Sequence, residues 1–262
     1  MEDLKNLRTH LEMCDDIILD ALKMRCEIVE NITNYKQQHE MPVVHIEEDE
    51  RKALHASEKL KDSKYAENIL NIYNYIRYTS KVIQSMNLFD CNIFLIGFMG
   101  AGKSTISSTL HDIFAMDVVE MDQIISERNN MSISEIFDTY GEEYFRNEET
   151  NLLIESRDKK NMIFSCGGGV PMREVNVREM KKSGKIILLT ASPETILSRV
   201  KESHDRPLLE NNKNVGFIAE LMEKRRSKYE AAADIIINTD GKNAYEICEE
   251  IIASAKNCST NA

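Results

Sequence analysis

The first 88 residues contain no glycine and only one proline, Pro42. A stretch without glycine argues against a turn-rich, short-stranded architecture and favours long helices. No apolar run approaches the ~20 residues that a bilayer-spanning helix needs. Basic residues are outnumbered, 33 Lys and Arg against 44 Asp and Glu, a formal net charge of -11. That balance argues against nonspecific nucleic-acid binding, which needs a cationic surface. The six cysteines, at positions 14, 26, 91, 166, 248 and 258, form no C-x-x-C pair, so neither a zinc nor a disulfide framework is expected. The opening Met-Glu-Asp-Leu-Lys lacks a signal-peptide layout, and together with the cysteine pattern it sets the expectation of a cytoplasmic protein.

What is present falls into two textures. The chain of 262 residues is long enough for two modest domains, expected at 1–88 and 91–258 with a very short linker at Asn87-Leu88-Phe89-Asp90. In the first, Leu4, Leu7, Leu11, Cys14, Ile18, Ala21, Ile28, Ile32 and Tyr35 recur at heptad-like spacing and predict one long helix. Pro42 breaks it, and Glu47–Leu60 and Ser63–Met86 predict two more helices. Three helices, one of them very long, have difficulty burying an apolar stripe alone, and pairing with a second copy solves this.

From Cys91 onward short apolar runs alternate with helical stretches. Ile93–Ile96, Val118–Met121, Met162–Ser165, Ile186–Leu189 and Ile235–Ile237 are the predicted strands. This alternation predicts an α/β fold with a parallel sheet flanked by helices, and function at the carboxyl ends of the strands. Gly97-Phe-Met-Gly-Ala-Gly-Lys-Ser-Thr105 follows the first strand and precedes a helical stretch, Ile106–Phe114. It matches the phosphate-binding loop, whose backbone N–H groups converge on one point. Gly100, Ala101, Gly102, Lys103, Ser104 and Thr105 are therefore the expected ATP-binding residues. Lys103 supplies a point charge for the β- and γ-phosphates, and the Ser104 hydroxyl is a ligand for Mg²⁺.

Other polar or glycine-rich sites follow the later strands: Asp122, Gly167-Gly168-Gly169, Arg146 early in a helix, Arg206 in a polar loop and Arg225 on the helix after it. Singly, each has a plain alternative. Asp122 suits a helix N-cap, the glycines a flexible turn, Arg146 and Arg225 surface ion pairs, and Arg206 a solvated loop cation. Their joint placement around a phosphate loop points to a site.

Residues 91 to about 257 resemble shikimate kinase. The resemblance is carried by Gly97–Thr105, Met121-Asp122 with Ile125, Gly141-Glu-x-x-Phe-Arg146-x-x-Glu149, Gly167–Gly169, Arg206-Pro-Leu-Leu209 and Lys224-Arg225 with Tyr229. It implies transfer of the ATP γ-phosphoryl group to the 3-hydroxyl of shikimate. It assigns the shikimate carboxylate to Arg146 and Arg225, the acceptor hydroxyls and proton to Asp122, close substrate approach to Gly167, Gly168 and Gly169, and transferring charge to Lys103 and to Arg206, which closes over the phosphates and joins the ATP-binding residues. Mg²⁺ is the implied cofactor, held by Ser104 and by Glu120, where many relatives have Asp. Asn238-Thr239-Asp240 are expected to border the adenine. Another small-molecule P-loop kinase, acting on gluconate or a nucleotide, is the alternative.

The helical stretch resembles the all-helical type of chorismate mutase over residues 1 to about 87. Arg8, Arg25 and Lys36 of the first helix, Pro42-Val43, Asp49, and Ser80 with Gln84 carry the likeness. Independently of it, Arg25 interrupts the apolar seam seven residues after Ile18 and seven before Ile32, a costly place for an unpaired cation. Lys36 points the same way, roughly 16 Å further along the axis, and Ser80 and Gln84 share a face. A polar cluster suited to an anion results, with interhelical salt bridges as the alternative reading. The resemblance implies rearrangement of chorismate to prephenate in a homodimer, with Arg25 and the partner's equivalent of Arg8 on the carboxylates and Lys36 and Gln84 at the ether oxygen. It departs from the family where the second helix carries His45, Glu48 and Asp49. An acid replaces an arginine there, and Arg51, one turn on, offers partial compensation. A non-catalytic dimerisation or regulatory module is the alternative for this half.

Overall fold

The computed structural model describes residues 3–39, 41–43, 46–200 and 214–255. The chain divides into two compact units, Met1–Asn87 and Leu88–Ala262. Among the described residues, no helix is long and apolar enough to cross a membrane.

The first unit is three helices: α1 (Leu4–Gln38), α2 (Ile46–Leu60) and α3 (Ala66–Leu88). Asp3 caps α1 by accepting from the Lys5 amide. The third helix begins later than Ser63, because the Ser63 hydroxyl and carbonyl accept from Tyr65 and Ala66 and hold a turn there. It also runs on to Leu88, so half of the expected linker is helix. Among described residues 3–87 only Thr33, Val43 and Ser85 are buried. The predicted seam of α1 stays in water: Leu4, Leu7, Leu11, Ile18, Ile28, Ile32 and Tyr35 are all exposed.

The second unit is built on five parallel strands in the order β2-β3-β1-β4-β5: β1 (Asn92–Ile96), β2 (Asp117–Glu120), β3 (Met162–Ser165), β4 (Gly184–Thr190) and β5 (Ile235–Asn238). β1 is central, pairing with both β3 and β4, and all five of its residues are buried. A strand covered on both faces has no solvent side, which is why its sequence is a continuous apolar run. Phe94 lies opposite Phe164 and stacks on it at 4.7 Å. Met121, expected at the end of the second strand, instead opens a helix and packs fully buried in the core.

The helices are α4 (Lys103–Phe114), α5 (Met121–Asn129), α6 (Ile133–Glu155), α7 (Glu174–Ser183), α8 (Pro193–Val200), α9 (Val215–Ala232) and α10 (Ala244–Ala255). Ser132 starts α6 through a reciprocal capping box with Glu135. Gly141 then interrupts α6 with φ 83° and ψ 165°, so Arg146 stands near the start of a second helical segment. The carboxyl ends of the strands lead into the phosphate loop, Asp122, the triple glycine, Ser192 and Thr239, all at one edge of the sheet.

Candidate active site

The phosphate loop leaves β1 at Gly97, and a Cβ there would collide with the Leu189 carbonyl oxygen of the neighbouring strand. Gly102 enters α4 in the left-handed region, φ 99°, which an L side chain rarely adopts. α4 starts at Lys103, three residues earlier than the sequence suggests, so Lys103, Ser104 and Thr105 form its first turn. The Lys103 Nζ donates to the carbonyls of Gly97 at 3.0 Å and Phe98 at 3.2 Å, which seats the ammonium over its own loop. Ser104 Oγ donates to Glu120 Oε2 at 3.1 Å, and buried Ser107 Oγ donates to Glu120 Oε1 at 2.7 Å. One glutamate thus reaches two hydroxyls of α4. Ser107 escapes a sequence reading because nothing in its neighbours marks it.

Gly100 to Ile106 line a cavity of about 450 Å³ together with Arg199, Thr239 and Lys242. Arg199 Nη1 donates to the Gly100 carbonyl at 3.3 Å and to Thr239 Oγ1 at 3.0 Å, linking the loop to the end of β5. Of the three residues expected beside the adenine, Thr239 lies on this cavity. Asn238 and Asp240 line a different one, and Asp240 is engaged by the Ser192 amide at 2.9 Å. Side chains alternate along the extended chain past β5, so one residue in three faces the loop.

The triple glycine is the floor of a second cluster of polar side chains. A Cβ on Gly167 would sit 2.5 Å from Asp122 Oδ1 and 2.9 Å from Glu149 Oε1. On Gly168 it would meet the Tyr229 hydroxyl at 3.5 Å and Arg225 Nη1 at 3.7 Å, and on Gly169 it would overlap the Arg146 guanidinium. Asp122, Arg146, Glu149, Arg225 and Tyr229 therefore converge on three consecutive residues that lack side chains. The run is a turn, as the plain reading had it, but a crowded one leading into a short 3₁₀ segment, Val170–Met172. Asp122 is exposed in the first turn of α5, and Glu120, not Asp122, holds the N-cap position.

Arg146 is ion-paired, as its plain reading also allowed, but one of its two partners is not at the surface. Nη1 donates to both oxygens of Glu149, at 3.0 and 2.9 Å, and Glu149 is fully buried; Nη2 donates to exposed Glu142 at 2.9 Å. Burial pushes the Glu149 carboxyl up to about 7, against the pull of the Arg146 guanidinium. Tyr229 donates to the Gly168 carbonyl at 2.7 Å and ties α9 to the floor; burial raises its phenol, with Arg225 pulling the other way. The Cys166 thiol beside the floor is buried and raised by burial, so it packs rather than reacts. Glu149 and Tyr229 were legible as motif positions; their place in the site was not. Arg206 lies outside the described residues.

In the helical unit, Arg25 of α1 donates to the Ser80 hydroxyl and to the Ile76 carbonyl of α3. Lys36 Nζ donates to the Val43 carbonyl at 3.3 Å in the turn after Pro42. Gln84 is half-buried one turn beyond Ser80. Asp49 of α2 faces Arg77 and Lys81 of α3, neither singled out from sequence. Arg8 is exposed, roughly 25 Å from Arg25 along α1, so one chain does not bring it to the cluster. Arg51 is exposed, and His45 lies outside the described residues.

Comparison with known proteins bears on the second unit. The shikimate kinase family model matches residues 99–256. The shikimate kinase of Persephonella marina is 41% identical over 161 residues, covering 62% of this chain and 96% of the relative. That of Thermodesulfovibrio yellowstonii is 39% identical, covering 62% and 92%. Among solved structures, shikimate kinase from Acinetobacter baumannii in complex with shikimate superposes with TM-score 0.58 at 29% identity, over 62% of this chain and 90% of that one. The Aquifex aeolicus enzyme gives 0.56 at 34%, over 65% and 99%. The chain belongs to the shikimate kinase family, a family of phosphotransferases, and the family match begins only after the helical unit.

Proposed function

We propose that this member of the shikimate kinase family transfers the γ-phosphoryl group of ATP to the 3-hydroxyl of shikimate. The carrying observation is the convergence of Asp122, Arg146 and Arg225 on the glycine floor beside the phosphate loop. The guanidinium groups of Arg146 and Arg225 hold the carboxylate of the acceptor, with Glu149 fixing the orientation of Arg146. Asp122 orients the acceptor hydroxyl and takes its proton as the new P–O bond forms and the bond to ADP breaks. Lys103 and the loop amides balance the charge on the phosphates. The Arg206 role rests on the sequence resemblance alone. Ser104 and Glu120 offer hard oxygen donors that fit Mg²⁺, which when bound neutralises charge on the β- and γ-phosphates.

ADP release on a panel of acceptors tests this reading. Release that requires shikimate, and that falls at least ~100-fold in an Arg146→Ala chain, is expected. Comparable release with gluconate or a nucleoside, and none with shikimate, would overturn it.

We infer a second reading for the helical unit: a homodimer that rearranges chorismate to prephenate. It is favoured by the meeting of Arg25 and Ser80 from separate helices at two of the expected positions. The scarcity of buried residues in this unit argues for a second copy, because exposed apolar faces on α1 and α3 are stabilised only when covered. Chorismate disappearance, followed by ultraviolet absorbance without ATP, is the test. Silence in a dimeric preparation that phosphorylates shikimate would leave a non-catalytic dimerisation module.

A further inference from the structure

α3 presents two cations at the polar cluster of the helical unit. Arg77 lies on the same turn of α3 as Ile76 and Ser80, the two groups that accept from Arg25 of α1. Lys81 stands one turn after Arg77 on the same face. Arg77 Nη2 donates to the main-chain carbonyl of Asp49 at 2.9 Å, which anchors the guanidinium against α2. Its distance to the Asp49 carboxylate is longer, 4.0 Å, and that from Lys81 is 3.9 Å. A charge-assisted hydrogen bond spans about 2.7–2.9 Å, so the Asp49 carboxylate is a loose counter-ion. It is also 46% exposed, whereas Arg77 is only 20% exposed. A partly buried guanidinium with a loose, solvated counter-ion and several N–H donors is poised for a better carboxylate.

The charge of the cluster agrees. Arg77 and Lys81 face Asp49, and Lys36 and Arg51 act on Glu48, which already pairs with Lys52 at 2.7 Å. Glu48 stays ionised: its bond to Lys52 holds its carboxyl below the usual range, helped by the charges of Lys36 and Arg51. A cluster in which cations outnumber acids, partly buried among three helices, suits a dianion. We propose that Arg77, with Lys81 beside it, binds one carboxylate of a dicarboxylate ligand in this cluster while Arg25 binds the other. The inference rests on the chorismate reading of the helical unit. It places on α3 the cation that α2 lacks at Glu48.

The test uses the full chain with chorismate as probe, reading turnover by absorbance and binding by calorimetric titration. Arg77→Met, which keeps the apolar stem, is expected to raise KM for chorismate about tenfold or more with kcat within about threefold. Arg77→Lys recovers part of the loss but still raises KM about threefold or more, because a point charge replaces a two-pronged donor. Shikimate-dependent ADP release and helical content match those of the native chain in both variants. An unchanged KM in either well-folded variant overturns the inference and leaves the mutase reading standing. Binding without turnover in the native chain, weakened by Arg77→Met, upholds the inference and sinks the mutase reading. No binding by the native chain sinks both.

Discussion

A buried carboxylate holds Arg146 beside the glycine floor. Folded Glu149 keeps its proton to about pH 7, because burial penalises its charge more than Arg146 favours it; the ordinary value is 4.5. Between those values the folded chain binds more protons than the unfolded one, so stability falls as pH rises across that interval. Urea unfolding of the kinase unit is expected to lose stability between about pH 5 and pH 7.5 in the native chain and to lose less in a Glu149→Gln chain. Equal losses would refute the assignment. Glu120 supports another expectation. It reaches Ser107 as well as Ser104, and an Asp there would be one methylene shorter. Glu120→Asp is expected to raise the Mg²⁺ concentration giving half-maximal kinase rate by about threefold to tenfold, with the fold intact; an unchanged Mg²⁺ titration would count against a metal role.

Helix α6 turns a backbone break into a functional placement. Gly141 lies in the positive-φ region with ψ near 165°, and a Cβ there would meet nothing within 4 Å. The cost of Gly141→Ala is therefore backbone strain, about 1–3 kcal/mol, and not a clash. Since Arg146 stands on the segment after the break, a raised KM for shikimate with little change in KM for ATP is expected; a matched rise in both would indicate general destabilisation. The break was half-legible. Gly141 was visible inside a motif, but a glycine in a helical pattern does not disclose its φ. The strands were legible wherever both faces are buried, because such segments are continuous apolar runs, as in β1. Their ends were less so: Met121 is as apolar as a strand residue, and only its packing as the first residue of α5 tells the two apart. Arg199, Ser107, Arg77 and Lys81 escaped for one shared reason. Each is an ordinary polar residue on a helix, and its importance comes from what the tertiary fold sets opposite it.

At the scale of the molecule the two units differ in how they satisfy their apolar surface. The kinase unit begins with residues already in its core: Leu88 and Phe89 are buried, and Phe89 meets Phe114 edge-on at 5.8 Å. Phe89→Ala is expected to cost about 3–5 kcal/mol, seen as a lower urea midpoint for loss of kinase activity. The helical unit has almost no such residues of its own. In the proposed homodimer its folding is tied to mass action in a way that the kinase unit's is not. Two melting transitions are expected in one chain. One would climb with total protein concentration as the helical pair forms, and the other would stay fixed. On that proposal, a cell holding few copies of this chain would keep a folded kinase unit attached to a half-formed helical appendage, so abundance itself would decide how much of the polypeptide is folded.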